Sequence, residues 1–150
     1  MKPKPPPPRP IRGHVTWLLN QTGRRGRLLV NEHLAIHDFR PPPYVMLLTL
    51  QESGAMSQAE LGARTALDRS DVTEGVRLLV ARGCVRQSVD PHDRRRNVVS
   101  LTPAGDRMAT DLLAEVDAAQ AEFMAPLDAD QREQLRGLLT VLLDYHVSRE

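Results

Sequence analysis

The helical period of this sequence is interrupted once. From Val15 onward apolar residues recur at offsets of three and four. After Gly83 the spacing shortens: Val85 and Val89 fall in one short run, and Val98, Val99 and Leu101 in another. Between the two runs stands Asp90-Pro91-His92-Asp93-Arg94-Arg95-Arg96. Two short β-branched runs flanking a turn-rich, basic loop predict a β-hairpin. The chain is therefore read as mainly α with one small β-hairpin. Composition agrees. Aromatic residues make up 3% of 150 residues, so the core must be built from Leu, Val, Ala and Met, which suits helices. The length fits a single domain. One cysteine, Cys84, excludes an internal disulfide and a cysteine-rich zinc site. No apolar run approaches the ~18 residues of a membrane span, and no signal peptide opens the chain, so no membrane partner is expected and the cytoplasm is the expected location.

Punctuation residues divide the remainder. Residues 1–10, MKPKPPPPRP, hold six prolines and favour an extended form; residues 1–12 are read as a disordered tail. A long helix is predicted from Val15 to about His37, stopped by Arg40-Pro41-Pro42-Pro43. A second runs from about Pro43 to Ser53, with Gly54 at its C-terminal cap. Ser57-Gln58-Ala59-Glu60 reads as a capping box opening a short helix to about Thr65. Asp68 caps the next, whose inner stripe is Val72, Val76, Leu79 and Val80, ending at Gly83. Thr102-Pro103 starts another, with Thr at the cap and Pro at the first position and a stripe of Met108, Leu112, Val116, Ala119 and Phe123. Asp128 caps the last, with Leu135, Leu138, Leu139, Leu142 and His146 on one face.

Two short helices joined by a tight turn and followed by a basic hairpin make a winged helix-turn-helix. The second helix of such a pair fits the major groove, about 12 Å wide. The first crosses the backbone, and an arginine-tipped hairpin reaches an adjacent minor groove. Charge distribution points the same way. The net charge is only +1, but residues 64–96 carry eight arginines against five acids, while residues 102–150 carry four against ten. A basic stretch inside the fold marks a surface made for an anion; the competing reading is ordinary solvated charge.

The stretch from Leu47 to Ala109 resembles the MarR family (multiple antibiotic resistance regulators). The motifs that carry the resemblance are SQAELGARTALDRSDVT, LLVARGCVRQ and DPHDRRRNVVSLTPAG. It implies a bacterial homodimer that binds a pseudo-palindromic operator in double-stranded DNA, usually as a repressor released by a small-molecule effector. It implies dimerisation helices at 13–40 and 103–150 around a winged-helix region at 41–102. By position, Arg69, Ser70, Thr73 and Arg77 would occupy the outer face of the recognition helix, with Ser70 and Thr73 donating to phosphates or bases. Gln58 would meet a phosphate. In the wing, Asp93 would brace the loop while Arg95, with Arg94 or Arg96, enters the minor groove. Trp17, His37 and Tyr44 are candidates for lining an effector pocket, or are plain core and interface residues. Asp71 and Glu74 depart from the family pattern. Asp71 favours the positive helix N-terminus; Glu74 would pair with Arg77 or accept from a cytosine amine.

Other signals are weaker. The peroxide-sensing branch of the family carries its cysteine in the first helix, where this chain has none, so Cys84 reads as a small buried residue. His33 and His37, one helical turn apart, make only two metal ligands. No nucleophile motif, phosphate loop or zinc-hydrolase spacing is present, so neither an enzyme nor a cofactor is expected. The alternatives to a DNA-binding regulator are a winged-helix protein-interaction module and a metal- or redox-gated sensor using His33, His37 or Cys84.

Overall fold

A computed structural model describes residues 9–90 and 97–149. In chain order it comprises α1 (Arg9–Arg12), α2 (Val15–Ala35), α3 (Pro41–Ser53), α4 (Gln58–Thr65), α5 (Arg69–Ala81), β1 (Val85–Val89), β2 (Asn97–Leu101), α6 (Pro103–Phe123) and α7 (Ala129–Val147). The strands pair antiparallel, with Val85 opposite Leu101 and Val89 opposite Asn97. The mainly helical fold with one hairpin is the one the change of period predicts. α1 is a departure. It places a turn of helix inside the segment read as tail, and Pro10 fits there because the first turn's N–H groups have no helical partner to lose. Residues 1–8 lie outside the described residues.

The helices start where the sequence offers their free N–H groups an acceptor. Ser57 Oγ accepts from the Glu60 N–H at 3.3 Å, and the Glu60 carboxylate accepts from the Ser57 N–H at 2.8 Å. Asp68 accepts from the backbone of Ser70 and Asp71, both at 3.0 Å. Thr102 accepts from Gly105 at 3.0 Å, and Asp128 from Gln131 at 2.9 Å. Gly54 and Gly83 follow α3 and α5 at φ of 79° and 67°, where a side chain would be strained. Ala66 also takes a left-handed conformation, φ 53°, between α4 and α5.

α3 lies at the centre. Its Met46, Leu47 and Leu50 are buried against Leu61 of α4, Val72, Val76 and Leu79 of α5, Val99 of β2 and Leu112 of α6. The α5 stripe differs from expectation at one position: Val80 is exposed and Gly75 is buried. Residues 72, 75, 76 and 79 form the i, i+3, i+4, i+7 set that faces one side of a helix, and Val80 falls beyond its edge. A Cβ there would come within 2.6 Å of Met46 Cε, so any larger residue would have to displace the end of the Met46 side chain. Met56, just before α4, bridges to Val99 by two backbone hydrogen bonds of 3.1 and 2.8 Å. This ties the helix pair to the hairpin. The predicted α6 stripe holds: Leu112 and Ala119 are buried, and Met108, Val116 and Phe123 half-buried. The predicted α7 face is left largely open: Leu135 is half-buried, while Leu138, Leu139, Leu142 and His146 are exposed, and α7 buries no residue.

Candidate nucleic-acid interface

The Asp68 cap holds the start of α5 open to solvent beside α4. Gln58, Arg69 and Thr73 line one cleft of about 470 Å³ between the two helices. Arg69, Ser70, Thr73 and Arg77 share one outer face of α5 with Asp68 and Glu74. The five candidates named for these helices thus lie on one continuous surface. The Arg69 and Arg77 guanidinium groups have no hydrogen-bond or ion-pair partner among the described residues. Such groups are free to meet phosphate or a guanine edge.

Two details correct the sequence reading. The Ser70 hydroxyl donates to Asp68 Oδ1 at 2.6 Å, and the Thr73 hydroxyl donates to the Arg69 carbonyl at 2.8 Å. Both protons are used within the helix, so in this conformation each oxygen offers a lone pair rather than a proton. The Ser70 contact, with the two backbone bonds, holds the Asp68 carboxyl below its ordinary value. Glu74 does not pair with Arg77; it stands with Asp71 along a neighbouring cleft of about 350 Å³, also lined by Arg40 and Arg82. Asp71 occupies the first turn of α5, as its helix-terminus account requires. Asp93, Arg94, Arg95 and Arg96 lie outside the described residues.

The proposed effector-pocket trio is split. Trp17 is in the first turn of α2 and His37 follows its last, and 21 residues of helix span about 30 Å. His37 and Tyr44 both lie against α6. His37 Nε2 is 3.6 Å from Glu115. Burial, aided by Asp117, pushes the Tyr44 hydroxyl up. Sequence reasoning missed the partners of these histidines. His33 Nδ1 is 3.2 Å from Glu115, its Nε2 is 3.4 Å from Glu122, and the two carboxylates, Glu115 first, raise its pKa. The signal was present: Glu115 and Glu122 are seven residues apart, hence on one face of α6, as His33 and His37 are on α2. No group among the described residues fits a metal ion. Cys84 is 3% exposed and burial pushes its thiol up, which lowers the thiolate fraction that oxidation needs.

A capped helix pair with a bridged hairpin behind it defines a winged helix-turn-helix protein. Comparison with known sequences narrows the class. Residues 37–96 match the profile of the MarR family. The transcriptional repressor NicR of Pseudomonas putida is 28% identical over 91% of this chain and 87% of its own length. A probable transcriptional regulator from Pseudomonas aeruginosa, solved by crystallography, is 32% identical, covers 88% of this chain and 98% of its own, and superposes with a TM-score of 0.78. The PcaV transcriptional regulator of Streptomyces coelicolor, solved with its natural ligand, is 29% identical over 89% of this chain and 94% of its own, at a TM-score of 0.74. The chain belongs to the MarR family, a family of transcriptional regulators rather than enzymes. No helix among the described residues is long and apolar enough to cross a membrane.

Proposed function

We propose that this chain is a homodimeric repressor that binds an inverted-repeat operator through two copies of α5 and is released by a small-molecule effector. The observation that carries the reading is the open face of α5. Arg69 and Arg77 have no partner among the described residues, and Gln58 and Thr73 stand beside them. In this reading Arg69 and Gln58 meet phosphates, Ser70 and Thr73 accept from base edges, and Arg77 reaches a guanine or phosphate. In the same reading Arg95, with Arg94 or Arg96, enters the minor groove, and Asp93 braces the loop. Residues 41–102 form the DNA-binding region. The helices at 13–40 and 103–150 form the dimer, whose apolar surface is supplied by Val15, Leu18 and Leu19 of α2 and Leu138, Leu139 and Leu142 of α7. The ligand-bound PcaV supports a ligand-responsive regulator; His37 and Tyr44, facing α6, belong to the effector region. The protein would work where the chromosome is, in the cytoplasm.

The test is selection from random-sequence duplexes at low salt. An inverted repeat with half-sites about one DNA turn apart is the expected product, with affinity falling steeply as salt rises. A folded dimer that enriches nothing overturns the reading in favour of a protein-interaction module. Arg95→Ala weakens operator binding while leaving the dimer intact; unchanged affinity would remove the wing from the mechanism.

A further inference from the structure

Arg82 caps the C-terminal end of α5, about 20 Å along the helix from Arg69. Its side chain reaches across to the turn between α2 and α3 and engages three successive residues. Nη1 donates to the His37 carbonyl at 3.1 Å, Nη2 pairs with the Asp38 carboxylate at 2.5 Å, and the guanidinium lies 4.6 Å from the Phe39 ring centroid. A planar fork with a stacking face suits all three contacts at once, and a lysine would not reproduce them. The turn itself is well defined. Phe39 is 3% exposed and its N–H donates to Leu34 at 3.0 Å, while Asp38 is held at φ 55°, a conformation few side chains adopt. The same turn is joined to α6, because the His37 ring faces Glu115. α5 otherwise packs on α3, α4 and β1. The guanidinium therefore links the recognition helix to the α2–α6 pair.

We propose that Arg82 is a positioning residue: by gripping His37, Asp38 and Phe39 it sets the tilt of α5 against α2, and so the half-site spacing that the dimer accepts. The leverage is sufficient. A tilt of about 10° over about 20 Å moves the far end of α5 by about 3.4 Å, close to the ~3.4 Å rise of one base pair. The inference rests on the DNA-binding reading, with α2 and α6 carrying the dimer.

The experiment measures affinity for the selected operator and for versions with the half-sites one base pair closer or farther apart. Wild type discriminates against the altered spacings by about tenfold or more. Arg82→Met, which keeps the apolar stem, lowers that ratio to about threefold or less, and Arg82→Lys gives an intermediate value. Melting temperature, dimer mass and the slope of affinity with salt stay as in wild type. A folded, dimeric Arg82→Met that keeps the wild-type ratio overturns the proposal. So does a salt slope reduced by about one, the mark of a lost phosphate contact. Should Arg82→Met fail to fold, Asp38→Asn, which leaves the His37 bond and the Phe39 stacking, decides by the same ratio. A wild type that enriches no inverted repeat is a different result: it removes the DNA-binding reading itself.

Discussion

α3 and α7 are both leucine-rich helices, and they end in opposite surroundings. α3 buries Pro43, Met46, Leu47 and Leu50 in the middle of the chain's own core. α7 is six residues longer, 19 against 13, and buries nothing. Its Leu138 and Leu143 are 59% and 63% exposed. With Val15, Leu18 and Leu19 of α2, Leu135, Leu138, Leu139 and Leu142 of α7 border an apolar groove of about 690 Å³. A contiguous apolar surface of this kind marks an association site. The comparison teaches that an apolar stripe specifies a buried face without saying whose atoms will bury it. Around α3 the chain supplies them; along α7 a second copy must, in the reading proposed above.

Substitutions in the two regions should therefore fail in different ways. The largest effect is expected at the seam between hairpin and α6. A Cβ at Gly105 would fall on the Cys84 carbonyl oxygen, a backbone atom with nowhere to go. Gly105→Ala should cost more than about 4 kcal/mol and leave little cooperative melting by circular dichroism. Next is the α3 core. Leu47 is fully buried, so Leu47→Ala should cost about 2–5 kcal/mol in denaturant melts, with the dimer mass unchanged wherever the protein is folded. Leu142→Glu, on α7, should do the reverse. It should leave the winged helix folded, halve the mass in solution, and weaken operator binding about a hundredfold by uncoupling the half-sites. If Leu142→Glu instead unfolds the chain as Leu47→Ala weakens it, α7 belongs to the monomer core and the comparison fails.

The smallest effect concerns the joint between α2 and α6. His33 is held above its ordinary value of 6.5 by Glu115 and Glu122. A raised histidine contributes stability that is fully present below about pH 6.5 and lost as pH rises through the raised value. Melting temperature should decline across that window in wild type and be flatter in His33→Gln. A parallel decline in both proteins would show that the carboxylates do not hold the ring.

Much of the fold was legible in the sequence because its signals are local. Ser57 with Glu60, Asp68, Thr102 with Pro103, and Asp128 each place an acceptor beside free N–H groups within three residues, and each starts a helix where expected. The face holding Gln58, Arg69, Ser70, Thr73 and Arg77 was legible for the same reason: helical spacing decides which residues share a side. What went unread depends on neighbours distant in sequence or on competition within a turn. The hydroxyls of Ser70 and Thr73 were expected to point their protons outward, but nearer acceptors on their own helix take them. Trp17 and His37 looked like pocket partners until the length of α2 separated them.

The sequence by itself determined the order and type of the elements, the caps, the hairpin and the outward face of α5. These follow from hydrogen bonds and periodicities spanning a few residues. Only the tertiary structure decided that Gly75 rather than Val80 completes the α5 stripe, because Met46 of α3 fills the space above it. It also decided that the histidines of α2 meet glutamates of α6 some 80 to 90 residues away, and that Arg82 spans from α5 to the turn after α2. Those contacts depend on how helices pack against one another, which no local pattern encodes.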